Sequence, residues 1–220
     1  QALIIVADTT FFSHADGLIV FREPNLKKNV WWQSTIYERA EMYLKGKNHL
    51  EKNGFTISAV VLDGRRGIRE VFGGLPAQMC HFHQKQIVKR YLTTKPKLEA
   101  SRELKTIVEM LPKTNEQKFI EELHGWYEKW KDFLKEKTTD PNTGRWRYTH
   151  KRVRAAYRSL QTNVPYLFTY QKYPELHIPN TTNSLDGFFS RLKSLIYVHR
   201  GLRPKRRMRM IVEILKGRYE

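Results

Sequence analysis

Residues 2–12 form an apolar stretch rich in Val, Ile, Phe and Thr, a pattern that predicts a strand. His14-Ala15-Asp16-Gly17 supplies a turn, and the apolar run 18–21 completes a hairpin. Residues 29–32 predict a third short strand. Thr35 and Glu38 then have capping-box spacing at the start of a helix expected to reach about Asn53, where Gly54 stops it. Ile36, Ala40, Tyr43 and Leu44 fit the buried stripe of that helix. In the segment 55–62, Ala59-Val60-Val61-Leu62 has no polar break, which predicts a strand covered on both faces. A short helix near 68–72 and a strand near 78–82 complete the series.

The order is strand, strand, strand, helix, strand, helix, strand. It predicts an α/β fold with an RNase H-like mixed sheet and helices on both faces, an analogy of topology until a site supports it. From about 84 to 167 the β-branched runs give way to long, charged, helix-prone stretches. Phe119, Leu123, Trp126, Tyr127, Trp130 and Phe133 recur there at helical spacing, so Trp126 and Trp130 read as core rather than as a base-stacking platform. Residues 140–144, Asp-Pro-Asn-Thr-Gly, read as a surface turn. A loop around 174–180 leads to Thr182-Asn183-Ser184, a helix start followed by Leu185, Phe188, Phe189, Leu192 and Leu195. The expected division is an RNase H-like core in 1–83, an all-helical insertion in 84–180 and a C-terminal helical part of the core in 181–220. A strand begins directly after Gln1 and a helical pattern is still running at Glu220, so further domains are expected at both ends.

Charge narrows the partners. The 220 residues carry 40 Lys plus Arg against 22 Asp plus Glu, a net charge of +18, and a polyanion is the first partner to consider. No apolar run approaches the roughly 20 residues that span a bilayer, and 2–6 is too short for a signal peptide. Cys80 is the one cysteine, which excludes an intrachain disulfide and an all-cysteine zinc site. A reducing location, cytoplasmic and nucleoid-associated, is expected.

Asp8 lies in or at the end of the first strand, an apolar setting in which a carboxylate needs a hydrogen bond, a partner or a metal. Asp63 follows the most buried strand, at the carboxyl edge where α/β sheets place ligands. In an RNase H-like sheet the first and fourth strands are neighbours, so the two carboxylates can face each other. Their repulsion would be relieved by Mg²⁺ or Mn²⁺, two ions of which can drive in-line phosphodiester displacement. Asp186, near a helix start, is the candidate third carboxylate. Two readings stay open there, since an Asp in a first helical turn is also stabilised by the helix dipole alone.

Four blocks in order, Asp8-Thr9-Thr10, Leu62-Asp63-Gly64-Arg65-Arg66-Gly67, Cys80-His81-Phe82-His83-Gln84 and Thr181-Thr182-Asn183-Ser184-Leu185-Asp186-Gly187, resemble the signature blocks of Mutator-like DDE transposases of bacterial insertion sequences. The resemblance spans nearly the whole chain. It implies an RNase H-like catalytic domain interrupted by a helical insertion, with Asp8, Asp63 and Asp186 as catalytic metal ligands for two Mg²⁺ or Mn²⁺ ions. It also implies double-stranded DNA partners, both element ends and target, and a homo-oligomer that brings two ends together. Cys80 and His83 match the family's Cys-x-x-His pair. Asp186 departs from the family, which usually has Glu at the third acid, and a side chain one methylene shorter reaches a metal only from a closer helix. A decayed or domesticated DNA binder and an RNase H-like nuclease are the alternatives.

Cys80 and His83 supply two zinc ligands at most, so a site-supporting role competes with zinc. His81, if alternation holds through 82, sits opposite Cys80 and faces the site. Basic clusters at 85–90, 151–158 and 200–209 read either as solvated faces or as phosphate contacts. The DNA-contact candidates are Lys151, Arg152, Lys193, Arg203, Lys205, Arg206 and Arg207. Lys193 lies on the predicted helix on the side of Asp186, and it too can be a plain surface lysine.

Overall fold

A computed structural model of the chain describes residues 2–13 and 16–217. In chain order the elements are β1 (Ala2–Ser13), β2 (Asp16–Glu23), β3 (Lys28–Thr35), α1 (Ala40–Lys52), β4 (Thr56–Leu62), α2 (Arg66–Val71) and β5 (Ala77–Met79). There follow α3 (His81–Leu92), α4 (Glu99–Glu109), α5 (Glu116–Lys135), β6 (Lys137–Thr139), β7 (Trp146–Tyr148), α6 (Lys151–Leu167) and α7 (Thr169–Lys172). The chain closes with α8 (Asn183–Val198) and α9 (Pro204–Leu215). His14 and Ala15 of the expected turn lie outside the described residues.

Contacts divide the chain into two compact units, one running to Cys80 and resuming at Tyr173, the other spanning His81–Lys172. Residues 81–83, expected in the core, thus fall in the second unit, and 173–180, expected in the insertion, fall in the first.

The first unit is built on a mixed five-stranded sheet of order β3-β2-β1-β4-β5. β1 pairs antiparallel with β2, and β2 with β3, while β1–β4 and β4–β5 are parallel. The arrangement is an α/β fold compatible with the expected topology. Ala59, Val60, Val61 and Leu62 are all buried, as their unbroken apolar run required of an interior strand. Helices cover both faces. Phe21 of β2 packs beside Tyr43 of α1, with ring centroids 5.8 Å apart, whereas the next residue, Arg22, lies with its guanidinium 5.3 Å from the Phe188 ring of α8. Successive strand residues face opposite ways, so α1 and α8 flank the sheet. Gly46 lets α1 approach closely, since a Cβ there would come within 2.7 Å of Trp31 and 2.8 Å of Phe21.

Two local expectations fail. The capping box does not form, because β3 runs on through Thr35, paired with Gly17, and α1 begins only at Ala40. The Thr35 hydroxyl donates instead to the Tyr37 carbonyl at 2.5 Å. Ile36 and Leu44 are consequently exposed, and the buried stripe is Tyr43, Gly46 and Leu50. The strand expected through 82 ends at Met79, and His81 opens α3, so the alternation that would have aimed His81 at the acidic site does not exist. Cross-strand pairing outweighs the local helix preference at Thr35, whereas beyond Met79 pairing ends and the helix takes over.

The second unit packs α3 to α6 together, and it is not all-helical, since β6 and β7 pair as an antiparallel hairpin around the turn at 140–144. Trp126 is core, with its indole N–H donating to the Ala100 carbonyl at 2.9 Å. Trp130 is half-buried and donates to Glu103 at 2.7 Å. His81 is buried with Nε2 2.6 Å from the Leu167 carbonyl, and its Nδ1 has no hydrogen-bond partner. Burial chiefly, and the charge of Lys85, hold its pKa below the ordinary 6.5, outweighing the Leu167 contact, which raises it. A neutral ring donating from Nε2 suits this pocket, because a second proton on Nδ1 would be buried without an acceptor. With the folded pKa depressed, the unfolded chain takes up the proton first. Stability is therefore complete above about pH 6.5 and declines as pH falls through the window below it. Urea unfolding at pH 7.5 and 5.5 is expected to show that decline and a shallower one in His81→Gln; equal slopes would remove His81 as its cause.

Candidate acidic site at the sheet edge

β1 and β4 run parallel, and their last registered pair is Val6 with Val61. Asp8 and Asp63 each lie two residues beyond that pair, Asp8 within β1 opposite Val20 and Asp63 just past the end of β4, so both fall where the parallel pairing stops. Both are half-buried. Asp8 Oδ1 accepts the Thr9 amide at 2.7 Å, and Asp63 Oδ1 accepts the Arg65 amide at 3.0 Å. Gly64 makes the Asp63 turn possible: its φ is +95°, and a Cβ there would collide with the Met79 side chain.

Three residues that sequence reasoning left out of the site surround this pair. The Arg65 guanidinium lies 3.4 Å from Asp63 and 2.5 Å from Glu38. Glu38, only 7% exposed, also accepts the Tyr43 hydroxyl at 2.7 Å, and Tyr43 in turn meets the Thr9 hydroxyl at 3.0 Å. Burial first, then the charges of Glu38 and Asp8, hold the Tyr43 pKa well above 10.0, so the phenol stays protonated and donates. Glu38 reads in the sequence as a cap and Tyr43 as a core residue. The available signal was their nearness to the chain turn that follows β3, which becomes informative only once α1 is known to start at Ala40.

Asp186 sits in the first turn of α8, the helix that packs on β1. The buried Thr182 hydroxyl donates to Asp186 Oδ2 at 2.9 Å. Thr182 is held by Cys80, whose Sγ accepts the Thr182 amide at 3.3 Å and lies 3.4 Å from the hydroxyl. The Cys80 amide donates to the Leu62 carbonyl at 2.8 Å, one residue before Asp63. A short chain of contacts thus runs from the end of β4 through Cys80 and Thr182 to Asp186. Cys80 thus contacts both the end of β4 and the residue that holds Asp186. His83 lies in α3 of the second unit, half-buried.

Among the described residues no group of three or more His, Cys, Asp or Glu side chains is placed to hold a metal ion. Asp8 and Asp63 offer hard oxygen donors of the kind a divalent cation takes, while Asp186 is turned to Thr182.

The basic candidates separate into two kinds. Arg152 donates from Nε to the Tyr91 carbonyl at 2.8 Å and from Nη2 to the Arg90 carbonyl at 2.7 Å, so it caps the end of α3 while remaining exposed. Arg207 pairs with Asp16 at 2.5 Å and fastens α9 to the start of β2. In both, a guanidinium beside helix-end carbonyls or a carboxylate also serves the fold. Lys151, Lys193, Arg203, Lys205 and Arg206 are exposed. On α9, Ile211 and Leu215 turn inward, leaving the charged residues at its start toward solvent.

Among the described residues no helix is long and apolar enough to cross a membrane. No protein-family model matches the chain, and no curated protein matches it in sequence.

Proposed function

We propose that the chain is the catalytic domain of a DDE-type transposase with an RNase H-like fold, which cuts DNA at the ends of a mobile element and joins the freed strands to target DNA. The observation that carries this reading is the placement of Asp8 and Asp63, two residues past the last pair of adjacent parallel strands, with Asp186 on the helix that covers β1. Asp8 and Asp63, with Asp186 if its carboxylate turns from Thr182, would hold magnesium or manganese, which would supply charge neutralisation and nucleophile activation for in-line displacement at phosphorus. In the first step a water oxygen bonds to phosphorus and the 3′-oxygen leaves. In the second that 3′-hydroxyl attacks a target phosphodiester, and the target's own 3′-oxygen departs.

The chain's residues prepare the site for these steps. Cys80 and Thr182 fix the Asp186 carboxylate, and the Tyr43 phenol holds Glu38 against Arg65. Exposed cations at Lys193, Arg203, Lys205 and Arg206, with a net charge of +18, suit phosphate contacts along element-end and target duplexes. Pairing two ends calls for a homo-oligomer, and a DNA substrate for a cytoplasmic, nucleoid-associated location.

A second reading is a transposase relic that binds DNA without cutting it. It is favoured by the Arg65 guanidinium beside Asp63 and by the missing three-donor group among the described residues. A Mn²⁺-dependent assay of cleavage and joining on a fragment carrying the element's inverted repeats separates the two. Wild-type protein is expected to cut and join. Asp186→Glu, with a longer reach from the same helix, is expected to stay within about tenfold of wild type, a change of roughly 1.4 kcal/mol in the barrier. Activity confined to Asp186→Glu would make the natural chain a binder, and cutting without joining would make it a nuclease.

A further inference from the structure

The β6–β7 hairpin of the second unit belongs to none of the clusters discussed above. Between Glu136 and Arg154 the sequence carries six Lys or Arg against two carboxylates. Both carboxylates are already committed. Glu136 pairs with His150 at 2.8 Å, and Asp140 accepts the amides of Asn142 and Thr143 at 2.8 and 3.3 Å, which keep its pKa below the usual value. Of the cations, Arg152 caps α3, and Arg154 donates to the Leu134 carbonyl at 2.6 Å. Lys137, Arg145, Arg147 and Lys151 are exposed.

The aromatic residues are arranged among these charges. Trp146 and Tyr148 share one face of β7, their ring centroids 5.4 Å apart and edge to face. Lys137 lies 4.0 Å from the Trp146 ring and Arg154 3.6 Å from the Tyr148 ring. Trp146 nevertheless remains 56% exposed. A two-stranded hairpin is marginal in water, and the Lys137 and Arg154 contacts with the rings brace it. They do not account for an indole left so open among exposed cations, of which Arg147 feels the charge of Asp140.

We infer that this hairpin is a contact for a DNA strand, in which an unpaired base stacks on the open part of Trp146 while Arg145, Arg147 and Lys151 meet the neighbouring phosphates. A base offers a flat π-face to the indole, and its backbone supplies phosphates for the exposed cations around it. The inference rests on the DNA-handling half of the proposed function and needs no metal chemistry.

The test is anisotropy binding of the full chain in EDTA to a labelled duplex with a short single-stranded tail and to the same duplex blunt-ended. Trp146→Thr keeps a strand-favouring residue and is expected to weaken tailed-DNA binding about tenfold, with little effect on the blunt duplex. Trp146→Phe, which keeps a ring, is expected to restore most of the loss. Arg147→Gln is expected to weaken both and to reduce the salt slope by about one. Tailed-DNA binding by Trp146→Thr equal to wild type, or an equal loss on both duplexes, overturns the stacking contact and leaves the catalytic proposal standing. Wild-type protein that binds neither duplex overturns both.

Discussion

Asp63→Ala is expected to lose metal-dependent strand cleavage by at least about a thousandfold, the scale of the several kcal/mol that a metal-held charge contributes at a reacting phosphate. The fold is expected to survive, because Asp63 lies after the end of β4 and its side-chain partner, Arg65, is more than half exposed. An exposed ion pair of that kind contributes about 0–1 kcal/mol, and Arg65 keeps Glu38 as a partner. Single-turnover cleavage in Mn²⁺, with circular dichroism and urea unfolding on the same preparation, separates a lost ligand from a lost fold. Full metal-dependent cleavage by Asp63→Ala would remove this residue from the chemistry.

Phe21→Ala is expected to destabilise the chain by about 3–5 kcal/mol, a large share of the roughly 5–15 kcal/mol available to a domain. Phe21 is fully buried in the interior of β2. Its ring lies 5.0 Å from Trp31, 5.8 Å from Tyr43 and 6.0 Å from Phe72, and the missing side chain of Gly46 makes room for it. Rings held in strand and helix frames collapse poorly into the void that truncation leaves. Tyr43 also holds Glu38 and Thr9, so cleavage is expected to fall with stability, unlike in Asp63→Ala. Urea unfolding followed by tryptophan fluorescence and circular dichroism measures the change, and a loss under about 1 kcal/mol would show that this cluster is not the hub of the sheet's α1 face.

The sheet was legible because its signal is long and redundant. Ala59-Val60-Val61-Leu62 is an unbroken apolar run rich in β-branched residues, the pattern of an interior strand, and all four residues are buried. Asp8 and Asp63 stood out for the same reason, as carboxylates attached to runs that must be buried. Boundaries were less legible where pairing partners decide them. Thr35 stays extended because Gly17 lies across from it, and His81 turns helical after only three residues of β5. The hairpin at 137–148 was hidden because each strand is three residues long, too short for alternation to register. The links from Cys80 to Thr182 and from Arg65 to Glu38 join residues 102 and 27 positions apart. Nothing local encodes either, nor the carbonyl partners of Arg152 and the carboxylate partner of Arg207, which are equally remote in sequence.

The most direct test of the acidic site is Mn²⁺ binding to the full chain, followed by electron paramagnetic resonance with and without DNA. If Asp8 and Asp63 hold the cation, wild-type protein removes the free Mn²⁺ signal in a saturable manner, more tightly with DNA, and the Asp8→Asn, Asp63→Asn double variant, folded by circular dichroism, does not. Equal Mn²⁺ binding by wild type and double variant, or none by wild type even with DNA present, would contradict a metal site at this edge of the sheet.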